Sequence, residues 1–201
     1  MSQLIIIGNG ITGTTVARHV RKRSNQPITI ISGESDYFFS RTALMYIYMG
    51  HMRYEHTKPY EDDFWKKNDI TLKRGFVERV VPVEKKIYLT NGEIIPYDKL
   101  VIASGSSYQT FGWPGQNLQG VQGLFSIQDL ELMERNTKSV KKAVIVGGGL
   151  IGIEMAEMLI SRGIHVTILV REKSYWDNIL PAEESEMINR HIRAHHVDLR
   201  L

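Results

Sequence analysis

The chain has 201 residues, 42% of them apolar and 23% charged, with a formal net charge of +3. That is room for one large domain or two small ones, in an ordinary globular composition. There is no cysteine, which excludes disulfides, zinc–thiolate and iron–sulfur sites, and any thiol redox step carried by these residues. No apolar run approaches the ~20 residues of a membrane span, and no basic-plus-apolar leader follows Met1, so the expectation is a cytoplasmic protein.

Gln3 to Ile7 reads as a strand, Gly8-Asn9-Gly10-Ile11-Thr12-Gly13 as a turn, Thr12 to Arg23 as a helix and Ile28 to Ile31 as a second strand. Short connections make this a βαβ unit of a parallel sheet. The basic cluster Arg18-His19-Val20-Arg21-Lys22-Arg23 falls where the helix ends. Cations there complement the helix dipole, so it reads as a solvated terminus, and no nucleic-acid partner is expected. Tyr37 to Met52 is aromatic and apolar, helical in its second half. Pro59 to Lys67 reads as a short helix with Glu61, Asp62 and Asp63 in its first turn and Lys66 and Lys67 in its last. From Ile70 to Ile95 the pattern alternates, and Asn91-Gly92 between two such runs signals a hairpin. The reading is an antiparallel meander over about residues 70–96, inserted into the first domain. Leu100-Val101-Ile102-Ala103 reads as a buried strand returning to the main sheet.

Residues 106 to 140 read as a connection, with a turn at Trp113-Pro114-Gly115. A second βαβ unit follows: strand Ala143 to Val146, turn Gly147-Gly148-Gly149-Leu150-Ile151-Gly152, helix Leu150 to Arg162, a stop at Gly163, strand His165 to Val170. A helix over Ala182 to His195 and a strand over Val197 to Leu201 complete the sequence. The predicted class is α/β, with two Rossmann-like parallel-sheet domains, the second incomplete. Residues 1–112 form the first, 113–140 a linker and 141–201 the second.

The glycine spacing has a physical reason. The first glycine permits a tight strand-to-helix turn, the second lets backbone approach a pyrophosphate, and the third lets helix and strand pack closely. The helix start supplies unpaired N–H groups for the phosphate charge. Both turns have the strand before and the helix after that this use requires, so two dinucleotides are expected, with electron transfer between them as the obvious purpose. An acid ending the second strand usually binds the adenosine ribose. Ser32 holds that position in the first unit, and Glu34, two residues on, is the candidate. Val170 holds it in the second, followed by Arg171 and Glu172. The arginine suits a 2′-phosphate and the glutamate a free 2′-hydroxyl, so NADP and NAD both stay open. His191 and His195 stand at i, i+4 without a third ligand at suitable spacing, and read as a polar helix face rather than a metal site.

Taken together, the Gly8/Gly10/Gly13 loop, Tyr97-Asp98-Lys99-Leu100-Val101-Ile102-Ala103-Ser104-Gly105-Ser106 and Gly147-Gly148-Gly149-Leu150-Ile151-Gly152-Ile153-Glu154 resemble the pyridine nucleotide–disulfide oxidoreductase superfamily, over essentially the whole chain. The resemblance implies FAD at the first loop, through Gly8, Gly10, Ile11, Thr12 and Gly13, with Ala103, Ser104 and Gly105 closing over it. It adds Glu34, Arg41, Thr42 and Val77 to the flavin set. It implies NAD(P)H at the second loop, through Gly147, Gly149, Leu150, Ile151 and Gly152, with Arg171 and Glu172 at the ribose end and Glu154 near the nicotinamide.

The departures narrow the subgroup. Disulfide reductases carry a cysteine pair on the helix after the second strand, where this chain has Phe39-Ser40-Arg41-Thr42-Ala43-Leu44-Met45-Tyr46. Ser32-Gly33-Glu34 with Arg41-Thr42-Ala43-Leu44 looks instead like the ferredoxin-, rubredoxin- and nitrite-reductase branch. A lysine common there near the flavin is replaced by Tyr46, and an arginine common just before Ser126 is Phe125. Tyr37, Phe38, Phe39, Tyr46 and Tyr48 are candidates to flank the isoalloxazine, although core packing explains such aromatics more often. Family members run to about twice this length, adding a flavin-side Gly-Asp motif and an interface domain. The expected function is therefore an FAD-dependent NAD(P)H oxidoreductase, with no side-chain acid, base or nucleophile required. Its acceptor is a small redox protein, a linked reductase domain or a small molecule, and a homodimer is one assembly open to it. The alternative is a catalytically silent dinucleotide-binding module, or an inactive fragment of such a flavoprotein.

Overall fold

A computed structural model describes residues 2–201. The chain divides into two compact units, one made of Met1–Leu44 and Met52–Leu132, the other of Met45–His51 and Met133–Leu201. In chain order the elements are β1 (Leu4–Ile7), α1 (Ile11–Arg21), β2 (Ile28–Ser32), α2 (Leu44–Tyr48), α3 (Phe64–Lys67), β3 (Ile70–Arg74), β4 (Val77–Val81), β5 (Lys86–Leu89), β6 (Ile94–Pro96), β7 (Lys99–Ile102) and α4 (Ile127–Asn136). They continue with β8 (Lys142–Val146), α5 (Leu150–Ser161), β9 (His165–Leu169), α6 (Ala182–Ala194) and β10 (Asp198–Arg200).

In the first unit a parallel sheet runs in the order β3-β2-β1-β7. Strand alternation sends the two sides of β1 to different layers. Leu4 and Ile6 pack with Ala17 of α1, Ile28, Ile30, Trp65 and Ile70, while Ile5 packs with Ile31, Ile87, Leu89 and Ile95. A strand covered on both faces reads as an unbroken apolar run, as Leu4-Ile5-Ile6-Ile7 does. The antiparallel sheet β4-β5-β6 forms the second cover, and its hairpin closes as expected at Gly92 (φ +85°).

Four sequence expectations need correction here. The meander begins at Val77 rather than near 70, because Ile70 pairs in parallel with Ile28 and buries its side chain beside Trp65. The helix read over 59–67 shrinks to Phe64–Lys67, with no acid in its first turn; residues 59–63 form bends and turns instead, in which Tyr60 stacks on Phe64 at 4.5 Å. The strand around Ile102 is not buried. Ile102 is 65% exposed at the end of an edge strand, while Leu100 and Val101 are partly buried against the two core layers. The fourth is an omission: α4 lies inside the segment read as a connection. Its start is a capping box in which Asp129 Oδ2 accepts from the Ser126 amide at 2.8 Å and Ser126 Oγ from the Asp129 amide at 3.1 Å.

The basic cluster at the end of α1 is largely structural. Arg21 donates to the carbonyls of Ser24, Gln26, Asn68 and Asp69, and Arg18 lies 5.0 Å from the Tyr60 ring centroid. The second unit is a parallel sheet in the order β10-β9-β8, with Ile145, Met158, Leu159, Val166, Ile168, Tyr175 and Ile192 buried. Among the described residues no helix is long and apolar enough to cross a membrane.

Candidate functional site

Each unit builds its candidate site where a strand turns into a helix. In the first, Gly8 has φ +105°, and a Cβ there would sit 2.2 Å from the Ala103 carbonyl oxygen. Only glycine combines that φ with that approach. The contact also puts the Ala103-Ser104-Gly105 segment directly against the loop. A Cβ on Gly13 would lie 2.0 Å from the Gly8 carbonyl oxygen, which is the close helix–strand packing asked of the third glycine. Gly10, the N-cap of α1, has open space on its Cβ side and no side chain caps the helix. The first-turn amides, Ile11 and Thr12 among them, have no partners inside the helix, and both residues are exposed.

Asn9 fastens this loop. Buried to 7% exposure, it donates to the Ser35 carbonyl at 2.9 Å and accepts from Ser32 Oγ at 2.9 Å. Ser32, at the position expected for an acid, is thus spent on holding the loop. Glu34 and Arg41 form a bidentate pair. The Ile127 amide donates to the Glu34 carboxylate at 3.0 Å, the Gln128 side chain to the Glu34 carbonyl at 2.7 Å, and Arg41 to the Phe125 carbonyl. Arg41 also lies over the Phe125 ring, 4.3 Å from its centroid, so the residue replacing the branch's arginine packs under this one. The structure therefore brings Glu34 and Arg41 together and ties both to residues 125–128. Sequence reading missed that strap, although Ser126-Ile127-Gln128-Asp129 carries a capping-box signature. Thr42 is exposed, its hydroxyl 3.1 Å from Ser40 Oγ, and Val77 is half-buried against the second core layer.

The second loop repeats the backbone and changes the fastening. Gly147 has φ +119°; a Cβ on Gly152 would lie 2.6 Å from the Gly147 carbonyl oxygen. Gly149, the N-cap of α5, is uncapped and open on its Cβ side. Leu150 and Ile151 are 63% and 58% exposed, and Glu154 is exposed one turn further on. At the acid position Val170 is buried, its Cγ1 3.0 Å from where a Gly148 Cβ would stand. Arg171 pairs with Glu172 at 3.0 Å, the arginine side chain being 94% exposed. Its own backbone amide and the Arg171 guanidinium hold the Glu172 carboxyl below its ordinary value. A residue that sequence reading passed over, Tyr175, reaches into the loop and donates to the Gly149 carbonyl at 2.8 Å.

The remaining candidates separate. Phe38, Phe39 and Tyr48 are core residues, while Tyr46 is 45% exposed. Tyr48 donates to Thr137 Oγ1 at 2.8 Å. The His191 and His195 rings are 4.4 Å apart, and among the described residues no group of three metal-binding side chains forms.

The profile of the pyridine nucleotide-disulphide oxidoreductases matches residues 2–201. The ferredoxin–NAD(P)+ reductase of Sphingomonas sp is 29% identical over 205 residues, covering 98% of this chain and 49% of that protein. The nitrite reductase [NAD(P)H] of Bacillus subtilis is 29% identical over 170 residues, 83% of this chain and 21% of that protein. The crystal structure of NADH:rubredoxin oxidoreductase from Clostridium acetobutylicum superposes with a TM-score of 0.87 at 24% identity, over 99% of this chain and 52% of that one. The chain thus spans about half the length, or less, of the relatives it matches. It belongs to the pyridine nucleotide-disulphide oxidoreductase family.

Proposed function

We propose, from that membership, that this chain supplies the FAD-binding and NAD(P)H-binding loops of an FAD-dependent NAD(P)H oxidoreductase serving a ferredoxin- or rubredoxin-type acceptor. Residues 1–112 carry the flavin loop and 141–201 the nicotinamide loop. The observation that supports this is the repeated cradle: two uncapped helix starts, each with a glycine N-cap beside open space. A cradle of that shape fits a diphosphate bridge, whose charge the first-turn amides and the helix dipole stabilise.

A bound FAD would supply acceptance of hydride from the reduced nicotinamide and onward transfer of electrons to the acceptor. The chain's own residues bind and orient. Gly8 to Gly13 hold one diphosphate with Ala103 to Gly105 alongside, and Arg41, held by Glu34, presents positive charge to the same cofactor. Gly147 to Gly152 hold the other diphosphate. Arg171 and Glu172 read the ribose end, and Glu154 stands on the nicotinamide side. With no cysteine in these residues, electrons do not pass through a thiol here.

The test is the complete reading frame, purified and examined under anaerobic conditions. The expected preparation is yellow and bleaches on addition of NADH or NADPH, then recovers its colour with an oxidised ferredoxin or rubredoxin. A flavin-loaded preparation that neither nucleotide bleaches overturns the enzyme reading in favour of a silent binding module.

A further inference from the structure

We infer that Tyr175 is a positioning residue of the second dinucleotide site, aiming the Leu150 amide by holding the Gly149 carbonyl. This rests on the reading of the Gly147 loop as the NAD(P)H site, and goes beyond it in naming what keeps the loop in working shape.

The need for a holder follows from the loop's composition. Gly147-Gly148-Gly149 has no side chain to fasten itself, and glycine rotates freely about φ and ψ. Gly149 has nothing within 4 Å on its Cβ side, so packing there does not restrain it. Its carbonyl takes two donors: the Ile153 amide at a long 3.3 Å and the Tyr175 hydroxyl at 2.8 Å. A trans peptide group is planar, with its C=O and N–H pointing opposite ways. Fixing the Gly149 carbonyl therefore fixes the direction of the Leu150 N–H, the first free amide of α5 and the group nearest an incoming diphosphate.

The tyrosine is itself held. It is 1% exposed, and burial pushes its phenol above the ordinary value, so the hydroxyl stays protonated as a donor. Its backbone amide donates to Asn189 Oδ1 at 3.0 Å. Asn189, fully buried on α6, donates in turn to Ser174 Oγ at 2.6 Å and Glu186 Oε2 at 2.9 Å. The ring lies 3.4 Å from where a Gly148 Cβ would stand, so it packs along the glycine turn on its way to the Gly149 carbonyl. A buried side chain whose polar end is spent on the N-cap carbonyl of a ligand-facing helix does more than fill space.

Tyr175→Phe keeps the ring and removes only the hydroxyl. Binding of NADH, NADPH and ADP is measured on the complete protein by nicotinamide fluorescence and by competition, with adenosine as the diphosphate-free control. The expected result is about fivefold weaker binding of all three diphosphates, the worth of one hydrogen bond, with adenosine affinity and flavin retention unchanged. Equal affinities in wild type and variant overturn the inference. So does an equal loss for adenosine, which marks a general loosening of the unit. A wild-type protein that binds none of the diphosphates defeats the NAD(P)H reading itself and this inference with it.

Discussion

The two glycine loops share a backbone and differ in what pins them. In the first, the loop reaches out: Asn9 bonds to Ser32 at the end of β2 and to Ser35 beyond it, while Gly8 is also wedged against Ala103. In the second, the segment beyond β9 reaches in. Gly148 replaces the asparagine, Tyr175 supplies the bond, and Gly147 touches nothing on its Cβ side. The same turn can thus be held from inside or from outside. At its first glycine the first loop stacks a conformational and a steric restraint, with Asn9 adding a polar one; the second has the conformational restraint at Gly147 and the polar one from Tyr175, without a backbone wedge against Gly147.

Alanine at the first glycine of each loop should expose that difference most. Gly8→Ala meets both a positive φ and a 2.2 Å collision with backbone. Strain and overpacking together should cost about 3 kcal/mol or more of first-unit stability. Gly147→Ala meets only the positive φ and should cost about 1–2 kcal/mol in the second unit. Hydrogen exchange read separately on peptides of the two units measures each. Equal losses would mean that Ala103 moves aside and that the wedge is no restraint.

Which features were legible in the sequence follows the same division. Backbone requirements write themselves locally: Gly8, Gly10 and Gly13 between an isoleucine run and an amphipathic helix announced the turn, and Asn91-Gly92 its hairpin. Fasteners made by distant side chains did not. Tyr175 sits in a loop whose sequence carries no periodic signal, and its bond to Gly149 spans 26 positions. Glu34 showed only as an acid near the end of a strand, while its partners at 127 and 128 lie more than 90 positions away. β3 was misplaced because alternation looks alike in a meander and at a sheet edge; the burial of Ile70 beside Trp65 decided its partner. The exposed side of β7 was hidden for the converse reason. Leu100 to Ala103 are as apolar as β1, and only strand order shows that they form an edge.

Removing the inside fastener is the next sharpest test. Asn9→Ala leaves the Ser32 hydroxyl and Ser35 carbonyl without their partner in a buried setting, and should cost about 2 kcal/mol. It should also loosen flavin retention while leaving ADP binding at the second loop unchanged. A variant that keeps its flavin and its stability would show that the Ala103 wedge alone suffices. Arg41→Ala should do less. The pair is partly exposed, at 34% and 20% for the two side chains, so solvent screens it, and about 1 kcal/mol is expected. Its local signature is faster exchange of the Ile127 amide, which bonds Glu34; unchanged exchange there would mean that the strap does not depend on the Arg41–Glu34 pair.

The smallest effect is a pH dependence at the far edge of the second unit. The Arg200 guanidinium, with lesser help from the Thr167 hydroxyl, holds the Asp198 carboxyl below its ordinary value. A folded-state value lowered in this way favours the ionised form. The stabilisation is therefore fully present above the unfolded value and is lost as pH falls through the lowered one. Because Asp198 stands opposite Thr167 in the β10–β9 register, acid should first loosen the Val170 amide, which bonds the Arg200 carbonyl at 2.8 Å. Asp198→Asn should flatten the acid-side rise in exchange at Val170, and raised salt should shrink it in the wild type, since these charges are exposed. A rise that survives the substitution unchanged would assign it to another group.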